Sequence, residues 1–123
     1  MHTLIAYGLA VVVVVLVAAM AVRFLVAPKV AAAGYGVPAR PEGDPAYLSV
    51  KGLRDLTLAV LGAALLAFST AHAAGWFMLV GALIPLGDMI IVLRHGGTRA
   101  TAFGVHFATA VVLLIDAALL FTL

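Results

Sequence analysis

Residues Thr3 to Val22, "TLIAYGLAVVVVVLVAAMAV", run for 20 positions without a charge. At ~1.5 Å per residue, a helix of that length covers a bilayer hydrocarbon core of ~30 Å. Three more apolar segments follow: Tyr47 to Ser69, Trp76 to Leu93 and Thr101 to Leu123. The uncharged part of the second runs from Leu56 to Ala71; the third is interrupted by Asp88, and the fourth carries His106 and Asp116. Each is too long for a barrel strand of ~10 residues and does not alternate, so each is expected to be a helix. With 66% hydrophobic and 10% charged residues, the chain lies far from the soluble average of roughly 45–50% apolar and about 25% charged. The expected fold is all-α, a four-helix transmembrane bundle forming one domain over residues 1–123.

The motif "AAMA" (18–21) resembles a signal-peptide cleavage site. A signal peptide needs a positive n-region, whereas here only His2 precedes the apolar run and Arg23 follows it. A retained span is the better reading.

The seven cations orient the bundle. Arg23, Lys29, Arg40, Lys51 and Arg54 belong to the first connection or its flanks, and Arg94 and Arg99 to the third. The turn "STAHAAG" (69–75) and both chain ends contain none. Cytoplasmic loops collect Lys and Arg, so loops 23–54 and 94–99 are expected in the cytoplasm with both termini outside. The expected location is the bacterial inner (plasma) membrane. The sequence pI of 9.4 reflects this asymmetry, and no basic stripe interleaved with aromatics suggests nucleic acid. Without cysteine there is no disulfide framework and no thiolate chemistry.

The connection 28–45, "PKVAAAGYGVPARPEGDP", holds four of the five prolines. Such residues punctuate helices, and the expectation is an irregular tether or lid. Gly8, Gly52, Gly62, Gly81 and Gly87 are expected to let helices approach closely. Trp76, Phe77 and Tyr47, near segment ends, suit an interfacial aromatic belt.

The polar residues within the apolar segments carry the functional question. Lys51, Arg54, Asp55 and Leu58 share one helix face. Asp55 lies ~13 Å in from a helix start near Pro45. Lys and Arg stems can snorkel to the interface; an aspartate cannot reach as far and needs a partner. Asp88 lies ~9 Å from the cytoplasmic end of the third segment. Pro85, one turn before it, leaves the Gly81 carbonyl without its helical donor and is expected to break the helix. His106 lies ~8 Å inside the fourth segment. Asp55, Asp88 and His106 therefore share a depth, and with Lys51, Arg54 and Arg94 they could form one polar network. The plain alternatives are an interfacial salt-bridge cluster on the second segment and an Asp88 pair with Arg54 or Arg94. Asp55, Asp88 and His106 could also supply three metal ligands, but spacing across separate helices does not diagnose a metal. No metal or other cofactor is expected.

Asp116 differs. It lies in the other half of the membrane, where no Lys or Arg can pair with it. His106, Thr109, Leu113 and Asp116 fall on one broad helix face. Tyr7 is at a similar level and could donate to the carboxyl. An acid within a span costs ~2.5–3.5 kcal/mol at the helix centre. Ionising a carboxyl in an apolar medium is costly, and a protonated acid facing an apolar space is what general-acid chemistry needs.

"KGLRDL" (51–56), "ALIPLGDMIIVLRHGG" (82–97) and "AFGVH" (102–106) resemble an uncharacterised family of small four-helix membrane proteins, a domain of unknown function. That resemblance implies an architecture and no chemistry. In size, topology and isolated intramembrane acids the chain is also similar, more loosely, to the small integral-membrane terpene cyclases of indole sesquiterpenoid pathways, which protonate a prenyl chain or its epoxide. This second resemblance implies a membrane-embedded acid catalyst on a lipophilic, isoprenoid-type substrate. Asp88, Asp116 or Asp55 would then be the proton donor, with Tyr7 and His106 orienting it and Lys51, Arg54 and Arg94 holding a polar headgroup. Two other classes fit the same residues: a proton-coupled transporter or lipophile-binding protein, for which a homodimer is expected, and an accessory membrane subunit with a purely structural polar cluster. Membrane lipids are expected partners in all three.

Overall fold

A computed structural model describes residues 1–38, 43 and 45–123. Arg40, counted above among the cations of the first connection, lies outside the described residues. Among those described, all regular structure is helical. Helix α1 spans His2–Val26, α2 Pro28–Tyr35, α3 Ala46–Phe68, α4 Ala71–Gly81 and α5 Leu83–Arg94. A three-residue turn α6, Arg99–Thr101, leads into a π-helical segment Ala102–Phe107 and then α7, Ala108–Phe121.

Among the described residues, three stretches are long and apolar enough to cross a membrane: His2–Val26, Ala71–Arg94 and Arg99–Phe121. Helix α3 has the length, but every 18-residue stretch of it contains Lys51, Arg54 and Asp55. Valine-rich runs such as 11–15 are helical here because hydrocarbon offers no partner for backbone N–H and C=O groups. Large apolar side chains including Val15, Leu16, Val60, Ile84 and Ile115 are exposed along the spans. An aqueous monomer does not tolerate so much contiguous apolar surface; these faces contact membrane lipid.

Helices α1 and α3 form the most extensive pair. They run antiparallel: Gly52 faces Ala21, Phe24 and Leu25, while Gly62, ten residues on, faces Val14. A Cβ at either glycine would come within 3.0 Å of its neighbours, so these two glycines set the close approach. Gly75 does the same for α4 against Phe121. Gly8, Gly81 and Gly87 face open space, which corrects the expectation that they also mediate packing. The inner core is built largely of small residues, Ala6, Ala10, Ala74, Ala82 and Ala117, with Met78, Leu113 and Leu120 between them.

The proline-rich connection contains a helix rather than an irregular tether. Pro28 sits in the first turn of α2, where its missing N–H would be unsatisfied anyway. Ala27, just before it, is driven out of helical geometry. After the alanine run 31–33, Gly36 (φ 100°) stops the helix: its N–H reaches Ala33 and the Val37 N–H reaches Ala32, both at 3.2 Å. This is a Schellman stop. The "HGG" at 95–97 does the same for α5, with Gly96 at φ 78° and the Gly97 N–H on the Val92 carbonyl at 2.8 Å.

The break expected from Pro85 is present as a one-residue interruption at Ala82 between α4 and α5, where the backbone keeps φ −63° and ψ −20°.

Candidate functional site

The two glycine stops meet. A Cβ on Gly36 would come within 2.8 Å of Thr101 and 3.1 Å of Val92, and one on Gly97 within 2.3 Å of Val92 and 2.8 Å of the Gly36 carbonyl. Val92 is fully buried between them. This packing carries the last residue of α2, Tyr35, into the bundle beside α5 and the π segment.

Tyr35 organises the polar residues at this end. Its phenol donates to the Asp88 carboxylate, and its own carbonyl accepts from His106 Nε2 at 2.7 Å. The His106 ring packs edge-on against the Tyr35 ring, with centroids 4.3 Å apart. On its other side, Phe24 packs edge-on at 5.6 Å. The Lys51 ammonium lies 4.3 Å from the centroids of both aromatic rings and makes a 2.5 Å ion pair with Asp55. Burial, then the Asp88 charge and the hydrogen bond to it, then Asp55, hold the Tyr35 phenol far above the usual tyrosine range.

The expected network thus exists for Lys51, Asp55, Asp88 and His106. Arg54 and Arg94 are not in it; both are exposed and form no ion pair among the described residues. Asp88 is partnered by a tyrosine rather than by either arginine. The two residues missed from sequence, Tyr35 and Phe24, are the ones that join the others. A phenol flanked by glycines, "GYG", was the available signal. Among the described residues, no three His, Cys, Asp or Glu side chains converge as a metal site would require.

His106 is buried and sits in the π segment, a helix irregularity that recurs at functional sites. From His106 the buried face continues through Ala110, Leu113, Asp116, Ala117 and Leu120 at ordinary helical spacing. Thr109 is outside that face: it is exposed and bonds the Val105 carbonyl at 2.6 Å.

Asp116 lies ten residues beyond His106, ~15 Å along the helix. It is fully buried, on the face whose Leu113, Ala117 and Leu120 belong to the inner core. Both of its oxygens lack a hydrogen-bond partner among the described residues. The expected Tyr7 donor does not reach it. Tyr7 instead packs on the same core and lines an open apolar groove of about 410 Å³ with Val11, Val14, Val15, Ala63, Leu66 and Ala67.

Helices of this length and apolarity define a small helical membrane protein. A family model, Domain of unknown function (DUF4267), matches residues 14–120, and the chain belongs to that family. No curated protein and no solved structure matches the chain significantly.

Proposed function

We propose that the protein is a membrane-embedded acid that acts on a lipophilic molecule of the isoprenoid class. The observation that supports this most is Asp116, a wholly buried carboxyl with both oxygens unpartnered among the described residues. Asp88 and Asp55 are committed to Tyr35 and Lys51, which leaves Asp116 as the preferred proton donor of the three. In this reading the Asp116 proton goes to an alkene carbon or epoxide oxygen. The carbocation cyclises away from water and then loses a proton, which restores the acid. Arg54 and Arg94, exposed at the basic end, would face a polar headgroup.

The topology belongs to the same proposal. Helix α3 lies antiparallel along α1 over ten residues of register, so if α1 crosses the bilayer α3 crosses with it. Four spans follow, with both termini outside and the basic end in the cytoplasm, as in a bacterial inner membrane.

A second reading, a proton-coupled carrier of a lipophile, is favoured by two helix irregularities, the break at Ala82 and the π segment around His106. Interrupted helices line the sites of many transporters.

The test is lipid analysis of protein extracted from its own membranes, wild type against Asp116→Asn and Asp88→Asn. Acid catalysis predicts a bound isoprenoid that is cyclised with wild type and uncyclised with Asp116→Asn. The same unmodified lipophile in all three supports the carrier. No specific lipophile in any of them removes both readings and leaves a structural bundle.

A further inference from the structure

Helix α2 is held in an unusual way for an element that closes one end of a bundle. Its buried apolar residues are two alanines, Ala31 and Ala32, packed with Phe24. Val30 is 64% exposed, and Ala33 and Gly34 are exposed as well. Little apolar burial therefore holds this helix down. Its described polar attachment centres on the C-terminal tip. There Tyr35 donates to Asp88 on α5, His106 of the π segment donates to the Tyr35 carbonyl, and Lys51 of α3, paired with Asp55, lies against the Tyr35 ring. Gly36, directly after, rests on Val92 and Thr101. Elements with few buried apolar contacts have low local unfolding free energies.

We propose that α2 is a releasable latch over the basic end of the bundle, pinned by the Tyr35 phenol on Asp88. Closed, it covers Val92, Asp88 and His106. Released, it uncovers them to the aqueous phase at the end of the broken α4–α5 span, while the α1–α3 and α4–α7 packing stays intact. This inference is independent of any role for Asp116.

The chain has no cysteine, so a single introduced thiol reports accessibility cleanly. Val92→Cys places it under the latch, at a position with 0% exposure. Met78→Cys places a reference thiol in the inner core, also at 0%. Each is made in the full chain, purified in lipid nanodiscs and reacted with a water-soluble maleimide. Val92→Cys should label slowly. Adding Tyr35→Phe should raise its rate at least tenfold, while Met78→Cys stays protected. Asp88→Asn, whose amide oxygen still accepts from the phenol, should give an intermediate rate, and Asp88→Leu a rate like Tyr35→Phe. An unchanged Val92→Cys rate in Tyr35→Phe overturns the latch. So does a parallel rise at Met78→Cys, which would make α2 an integral part of one cooperative core.

Discussion

The phenol of Tyr35 donates to the carboxylate of Asp88, 53 residues further along the chain. The bond links the end of a short helix in a proline-rich connection to the second half of a broken span. A hydrogen bond to a charged partner contributes about 1.5–3 kcal/mol. Tyr35→Phe should therefore lower the Tm of the purified protein by several degrees, and Asp88→Asn should lower it less. Differential scanning fluorimetry in one detergent would measure both.

The same pair predicts an alkaline signature. The folded phenol titrates above its ordinary value of 10.0, because it is buried and bonded to Asp88. A raised folded value means that the stabilisation is fully present below pH 10 and is lost as the pH rises beyond it. Wild type should thus be more stable than Tyr35→Phe at pH 8, and the difference should shrink above about pH 10. Thermal melts of both proteins from pH 8 to 11 test the sign. A difference that grows with pH would refute the assignment.

Asp116 should show stability and function pulling in opposite directions. A buried polar group without partners costs about 1–3 kcal/mol. Asp116→Leu, close in shape and apolar, should stabilise the fold by about that amount while abolishing any proton chemistry. A lower Tm for Asp116→Leu would mean that the carboxyl has a favourable partner in the membrane.

Gly97 and Gly81 should separate sharply. Gly97→Ala would put a Cβ 2.8 Å from the Gly36 carbonyl oxygen and 2.9 Å from that of Val92; such overpacking costs about 1–3 kcal/mol. Gly81→Ala meets nothing within 4 Å and should be neutral or gain up to about 1 kcal/mol from helix propensity. Parallel melts of the two variants decide it.

The topology is open to a direct check. Thiols at Ala33→Cys and Ser69→Cys, both exposed and on either side of α3, should label from opposite sides of intact cells and inverted vesicles. Labelling from the same side would remove the four-span arrangement.

The long helices were legible because bilayer thickness dictates their length and hydrocarbon forbids unpaired backbone. The break before Asp88 was legible from the chemistry of Pro85. Helix α2 was hidden because Pro28 reads as punctuation, yet at a first turn it starts a helix rather than ending one. Tyr35 was hidden for another reason: its partners Asp88 and His106 come from distant segments, and no local pattern announces them. The glycines show the same limit. Gly52 and Gly62 pack against α1 while Gly8 and Gly87 face nothing, a difference set by which helix happens to lie opposite.

The π segment at 102–107 works as a phase adjuster. An α-helix turns ~100° per residue, so one residue too many, absorbed locally, changes which side of the downstream helix faces inward. Here it joins Thr101, seated on the Gly36 turn, to the winding that presents His106 to Tyr35 and Asp116 to the alanine-lined core. Deleting one residue between Thr101 and His106 would turn both groups together, by ~100°, relative to Thr101. The two polar positions of this span are thereby coupled through the pitch of the backbone, with no side chain connecting them.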